Sequence, residues 1–226
     1  MDATVLVTGG NGGLGLAVIE TFVADGWRVV APMRRRPEST VERLEVVEAD
    51  VLDPGAVERA VAHAAGVKDA PLRAVVNLVG AYAGGRPVHE IPPEDFERLL
   101  TVNLRPTFLV TRAALPHLLA AGGGAIVCVS ARAAVQPFAG AAAYATAKAG
   151  VLAFAQAVAV EYKANGVRCN ALLPSVIDTP ANRAAQPGAN YARWVPPAQV
   201  AAVIRFLCSD DSTPTSGAAV PVYGRA

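Results

Sequence analysis

The stretch A-T-V-L-V-T-G-G-N-G-G-L-G, Ala3 to Gly15, decides how the chain folds. Ala3 to Thr8 is a short β-branched run of the kind found in strands buried on both faces. Glycines follow at once, and then Leu14, Val18, Phe22 and Val23 recur at helical spacing until Gly26. Strand, glycine turn and helix in that order present the helix N-terminus, with its unpaired amides and positive dipole end, to a pyrophosphate. Glycine also lets backbone approach phosphate closely. The turn fits two registers, G-x-G-x-x-G from Gly10 to Gly15 and T-G-x-x-x-G-x-G from Thr8 to Gly15.

Outward from the turn, strand and helix alternate. Strand patterns cover Trp27 to Met33, Leu44 to Glu48, Ala74 to Val79, Ala125 to Ser130, Val167 to Leu173 and Ala218 to Val222, all read as buried. Helical patterns cover Pro54 to Ala65, Pro93 to Ala120, Ala142 to Ala164 and Pro197 to Cys208. This alternation predicts an α/β fold, a single-domain doubly wound (Rossmann) parallel sheet with helices on both faces, over residues 1–226. A Pro/Gly/Asn-rich insertion at about Thr179 to Pro197 is the candidate substrate lid, expected to be mobile.

Composition bounds the function. With 226 residues, 53% hydrophobic and a formal net charge of +1, the chain carries no electrostatic footprint for nucleic acid. Cys128, Cys169 and Cys208 are odd in number and far apart, which fits neither a disulfide framework nor a zinc site. No metal is expected. No basic-then-apolar leader precedes the first strand, and no apolar run reaches the roughly 18 residues of a membrane span. The expectation is a cytoplasmic protein that acts on a small molecule.

Chemistry is expected at A-Y-A-T-A-K-A-G, Ala143 to Gly150. Tyr144 and Lys148 are one helical turn apart, on one face. A phenol titrates near pH 10, and a fixed ammonium beside it is expected to lower that value and make the pair a tunable acid/base.

The ordered set of motifs resembles the short-chain dehydrogenases/reductases over essentially the whole chain. It comprises T-G-x-x-x-G-x-G, Asp50-Val51, N-L-V-G from Asn77 to Gly80, Asn103 closing F-E-R-L-L-T-V-N, Tyr144 with Lys148, and P-S-V-I-D-T from Pro174 to Thr179. The resemblance implies that Gly9, Asn11, Gly12, Gly13, Leu14 and Gly15 cradle the cofactor phosphates. Asp50 and Val51 would contact the adenine, and Asn77 and Gly80 would line the cleft. Asn103 would anchor a water relaying protons to Lys148, and Lys148 would hold the nicotinamide ribose. Tyr144 would exchange a proton with the substrate oxygen, while Pro174, Ile177 and Thr179 would fix the nicotinamide. Asp50 also suits a turn, and Thr179 a helix cap.

The chain departs from the family pattern in two places. Ser175 replaces the usual glycine after Pro174. The catalytic serine usually precedes the tyrosine by thirteen residues, which lands on Ala131, with Ser130 one position earlier. Strand side chains alternate faces, so Ser130 is a candidate only if the loop to Tyr144 absorbs the slip. Dihydropteridine reductases, a branch that lacks this serine, share a segment similar to D-T-P-A-N-R, Asp178 to Arg183, followed by Pro187 and Trp194. A reductase of a quinonoid pterin is thus a second reading. A non-enzymatic dinucleotide sensor would keep the turn and lose the catalytic pair, and a nucleotide-sugar epimerase would need a larger substrate domain. For the cofactor, V-V-A-P-M-R-R-R from Val29 to Arg36 sets Met33 where an NAD site has a carboxylate. Arg34, Arg35 and Arg36 follow, so NADP(H) is expected to be preferred, with NAD(H) possible. The resemblance also implies a homodimer or homotetramer.

Overall fold

The computed structural model describes residues 3–35 and 42–225; Arg36 of the expected basic run lies outside them. Seven parallel strands form one sheet: β1 (Thr4–Thr8), β2 (Arg28–Met33), β3 (Leu44–Glu48), β4 (Leu72–Asn77), β5 (Gly124–Val129), β6 (Val167–Pro174) and β7 (Ala219–Val222). Their order is β3-β2-β1-β4-β5-β6-β7. The helices are α1 (Gly13–Ala24), α2 (Pro54–Ala65), α3 (Pro93–Asn103), α4 (Arg105–Ala120), α5 (Ala142–Glu161), α6 (Pro180–Ala185) and α7 (Pro197–Cys208). This is the doubly wound Rossmann architecture read from the alternation.

Successive strand side chains point to opposite faces, so each central strand feeds two cores. Val5, Val7, Val29, Ala31, Val76 and Val127 pack with Ile19 and Phe22 of α1 and Val200 and Ile204 of α7. Leu6, Val30, Val75 and Ile126 pack on the other face with Val57 of α2, Val110 of α4 and Val151 of α5. The order reverses beside β1, whose neighbours are β2 and β4. A crevice therefore opens beyond the C-terminal ends of β1 and β4, the place where open α/β sheets take ligands.

Four details differ from the sequence reading. β3 and β7 are sheet edges and contain no fully buried residue, because an edge strand lacks a neighbour on one side. The run from Pro93 to Ala120 is two helices broken at Leu104 (φ −101°, ψ −44°), where Pro106 cannot donate a backbone hydrogen bond to the turn before it. α5 stops at Glu161, and a 3₁₀ turn and Gly166 (φ +71°) lead into β6. α5 is also long and apolar enough to cross a membrane, by length and composition. Its Ala147, Val151, Ala155 and Val158 are instead buried in the layer on the sheet. Cys128, Cys169 and Cys208 are free and buried, as expected.

The glycine turn bears on the two registers its sequence fits, of which the family resemblance uses T-G-x-x-x-G-x-G. Gly9 has φ +71°, and a Cβ on Gly15 would lie 2.1 Å from the Gly9 carbonyl, so α1 can start where it does only if residue 15 has no side chain. A Cβ on Gly12 would meet that same carbonyl at 3.3 Å. Gly15 is common to both registers; Gly9, whose positive φ suits glycine, belongs only to T-G-x-x-x-G-x-G, and on that ground the structure favours it. Gly15→Ala is expected to destabilise the fold by about 3 kcal/mol or prevent folding, and Gly12→Ala by less than about 1 kcal/mol, as read from denaturant midpoints. Equal effects would contradict the close approach of residue 15 to the Gly9 carbonyl.

Candidate active site

The dinucleotide cradle is built from backbone. Gly12 caps α1 with no side-chain hydrogen bond, so the first-turn amides of Gly13 and Leu14 have no side-chain acceptor. Thr8 ties the turn to β4: its hydroxyl accepts from the Leu78 amide at 3.1 Å and donates to Val76 O. A Cβ on Gly13 would sit 2.9 Å from Thr179 Cγ2, which brings the segment after β6 against the turn. These residues fit a bound dinucleotide, with free amides at a helix N-terminus and no side chain in the way.

Two of the candidate catalytic residues, Asn103 and Lys148, converge over Gly80. A Cβ there would lie 2.6 Å from Asn103 Oδ1 and 2.8 Å from Lys148 Nζ. Asn103, fully buried at the end of α3, accepts from the Ala81 amide at 3.1 Å. Its Nδ2 donates to Ala81 O at 2.9 Å and Leu99 O at 3.0 Å. Lys148 is buried and its ammonium donates to Val129 O at 3.0 Å. The ammonium sits 6.0 Å from the centroid of the Tyr144 ring.

The electrostatics reverse one expectation. Burial pushes the Tyr144 phenol up to about 12, with Tyr82 adding to it. Burial likewise pushes the Lys148 ammonium down to about 8, opposed by Cys128. Lys148 was expected to lower the phenol. Its charge is instead directed at the Val129 carbonyl, and desolvation of the phenolate prevails.

Ser130 does not reach the cleft. Its hydroxyl donates to Lys148 O at 2.7 Å and is buried, so the loop does not absorb the one-residue slip. Asn77 also points inward, its Nδ2 donating to Thr111 Oγ1 at 3.2 Å and toward Cys128 Sγ at 3.8 Å. It is buried between β4 and α4, not aimed at the cleft by its side chain. Asp50 accepts from the Leu52 amide at 2.9 Å in a turn, beside Val51, which packs on the core. Arg34 and Arg35 are exposed just past β2. Pro174 is buried at the end of β6, and Ile177 bridges to Val195. Thr179 caps α6, accepting from the Asn182 amide at 3.2 Å.

The candidate lid segment contains secondary structure and side-chain contacts. α6 is followed by a 3₁₀ turn at Tyr191–Arg193, Asp178 pairs with Arg183, and Trp194 is buried beside Tyr191. Sequence reasoning missed Tyr82, whose ring meets that of Tyr144 edge-on at 5.1 Å and approaches Phe138 at 6.4 Å. The signal available was an aromatic residue in the glycine-rich loop that follows N-L-V-G.

A family model described as short chain dehydrogenase matches residues 3–190. The chain belongs to the short-chain dehydrogenase family. It is 35% identical to a 2-(R)-hydroxypropyl-CoM dehydrogenase of Xanthobacter autotrophicus, over 99% of this chain and 98% of that one. A 3-ketoacyl-(acyl-carrier-protein) reductase of Brucella melitensis complexed with NADH superposes with a TM-score of 0.86 at 26% identity, over 99% and 98% of the two chains. A protein described as ElxO with NADP bound superposes at 0.91 with 23% identity, over 99% and 98%, and speaks for the fold alone. This short-chain dehydrogenase is thus an NAD(P)-dependent oxidoreductase that acts on a small molecule with a nicotinamide dinucleotide.

The buried ammonium makes stability depend on pH. Burial holds the folded pKa of Lys148 at about 8, below the ordinary lysine value of 10.5. Between those values the unfolded chain binds the extra proton, so this group makes the fold more stable as pH rises. From about pH 7.5 to 9.5 wild type is expected to gain about 2 kcal/mol relative to Lys148→Met in denaturant titrations. Parallel curves for the two proteins would show that the ammonium is not desolvated.

Proposed function

We propose that this short-chain dehydrogenase reduces a small ketone, or oxidises the matching alcohol, with NADP(H) preferred. The observation that carries the reading is the convergence of Lys148 and Asn103 on Gly80, just past β4, with the Lys148 ammonium 6.0 Å from the centroid of the Tyr144 ring. The dinucleotide supplies the hydride. Tyr144 Oη gives the proton to the substrate oxygen, and its high pKa keeps that proton in place at neutral pH. Lys148 is charged below about pH 8 and holds the ribose hydroxyls. Asn103 fixes the Gly80–Ala81 turn and so keeps the floor of the cleft clear. Ile177 and Thr179 orient the nicotinamide, and Asp50 and Val51 border the adenine. Exposed Phe108, Leu119 and Val160 on α4 and α5 support a homodimer or homotetramer. Buried free thiols suit the reducing cytoplasm.

Tyr144→Phe is expected to lower ketone turnover by at least about 10²-fold while NADPH binding persists, since the ring still packs and only the proton is lost. Steady-state rates and NADPH fluorescence check this. A loss of less than about fivefold would reject the assignment of Tyr144.

A second reading, reduction of a quinonoid pterin, is favoured by the inward Ser130 hydroxyl, which leaves the cleft without that donor. On this reading Ala131→Ser raises ketone reduction. On the ketone reading Ser130 acts through Lys148, and Ser130→Ala moves the pH dependence of the rate rather than carbonyl polarisation.

The cofactor preference rests on Met33 at the end of β2 and on exposed Arg34 and Arg35 beyond it. The kcat/KM ratio of NADPH over NADH is expected to exceed about ten and to fall in Arg34→Ala or Arg35→Ala, since a charge-assisted contact is worth roughly 1.5 to 3 kcal/mol. A wild-type ratio at or below one would reject NADP(H).

A further inference from the structure

Beside Tyr144 lies a cavity of about 200 Å³ that none of the roles above uses. Its lining includes Gly84, Gly140 and Ala143 together with the charged residues Arg86, Asp95 and Arg98. Ala143 precedes Tyr144 on α5, and Gly84 lies two residues beyond Tyr82, whose ring touches that of Tyr144. A Cβ on Gly84 would lie 2.6 Å from Tyr82 Oη, so the cavity lining is linked to Tyr144 through the Tyr82 ring. At this volume it is below the several hundred Å³ of a whole small-molecule site, so it suits one end of a substrate.

Its charge is arranged around a single carboxylate. Asp95, in the first turn of α3, takes Arg98 on Oδ1 at 3.2 Å and Arg86 on Oδ2 at 3.7 Å. One acidic group therefore holds two guanidinium groups at the same cavity, and the three side chains together carry one net positive charge. A guanidinium has five N–H donors in a fixed fork, so the contact to Asp95 leaves most of them for a further acceptor. The walls cannot supply one, because Ala83, Ile91, Pro92, Leu99 and Ala143 offer apolar side chains.

The room depends on missing side chains at the rim. A Cβ on Gly84 would lie 2.8 Å from Gly140 O, and a Cβ on Gly140 would lie 2.9 Å from Gly85 N and Cα. The Gly85 amide donates to Gly140 O at 2.9 Å, closing the loop after β4 onto the loop before α5.

We propose that this cavity is a substrate subsite for an anionic group, a carboxylate or sulfonate, carried a few carbons from the ketone that Tyr144 protonates. The proposal rests on the ketone-reductase reading and names its substrate class: small oxo acids in preference to neutral ketones. Arg86 and Arg98 accept the tail, the apolar walls take the carbons between, and Asp95 holds both arginines in place.

The test compares acetoacetate and levulinate with their neutral amides, acetoacetamide and levulinamide, in wild type, Arg86→Gln, Arg98→Gln and the double variant. NADPH binding, read by its fluorescence, reports that each variant is folded. At least one acid is expected to exceed its amide in kcat/KM by about tenfold, mostly through KM, with the ratio approaching one in the double variant. In wild type the same ratio should shrink as salt is raised, because the arginines are half-exposed and screened. This arm needs no variant. Calorimetric binding of levulinate against levulinamide to the NADPH-bound enzyme separates the two levels of inference. If no ketone is turned over but levulinate binds better than levulinamide and the double variant loses that preference, the cavity stands and the ketone reading falls. Equal binding of acid and amide in wild type, or a preference that survives in the double variant, overturns the subsite. So does competition by inorganic sulfate with no acid-over-amide preference, which would mark a site for free anions.

Discussion

The close approach of α1 to the turn that precedes it is the constraint on which the remainder depends. Residue 15 must lack a side chain because the Gly9 carbonyl occupies the space a Cβ would need. Only then does the helix begin directly after the turn, with its first amides and the positive end of its dipole facing the crevice. The same turn is held from below by Thr8, which reaches the backbone on either side of the β4 end. Because β1 and β4 are the neighbours between which the strand order reverses, this one tether aligns the phosphate cradle with the loop that carries Gly80.

A second tether positions the proposed acid/base pair. α5 is joined to the end of β5 at two adjacent residues: the Ser130 hydroxyl donates to Lys148 O, and Lys148 Nζ donates to Val129 O. The lysine is thus gripped at its backbone and at its tip. Both bonds are buried, where breaking either leaves an unsatisfied group and a cost of about 1–3 kcal/mol. Such rigidity comes with desolvation, and desolvation raises the Tyr144 pKa and lowers that of Lys148. In the proposed reaction the phenol is thereby kept protonated and fixed at once.

What was legible in the sequence follows from periodicity. Val5, Leu6 and Val7 read as a strand apolar on both faces, and the two faces do enter two different cores. The helices over Gly13–Ala24 and Pro54–Ala65 follow equally from pattern and capping, with Asp53 accepting from the amides of Gly55 and Ala56. The exposure of β3 was not legible, because it depends on where the strand lies in the sheet, and strand order is not written in a local run. The helix break was legible and missed: Pro106 within an otherwise periodic stretch is a breaker. The direction of the Tyr144 shift needed burial, a property of packing that spacing along α5 does not contain. Likewise, spacing could place Asn77 at a strand end but not say which way its amide turns.

The one-residue displacement of the serine shows how a site can keep a residue type and change its use. Along a strand end, moving by one position exchanges the face that looks at the cleft for the face that looks at α5. At Ser130 the hydroxyl has gone to the helix, and Ala131, at the usual spacing from Tyr144, is an apolar residue with 6% of its surface exposed. On the proposed ketone reading the donor for the substrate oxygen is then Tyr144 alone, a residue of α5 whose ring meets Tyr82 edge-on. With one donor in place of two, orientation of the substrate carries more of the barrier, because each misplaced contact has no second hydrogen bond to offset it. A tail anchored away from the reacting carbon supplies such orientation without adding a donor at the oxygen. The proposed use of the cavity next to Ala143 and the inward turn of Ser130 are in that sense one arrangement: a site that has given up a polar contact at the carbonyl gains from binding its substrate at the other end.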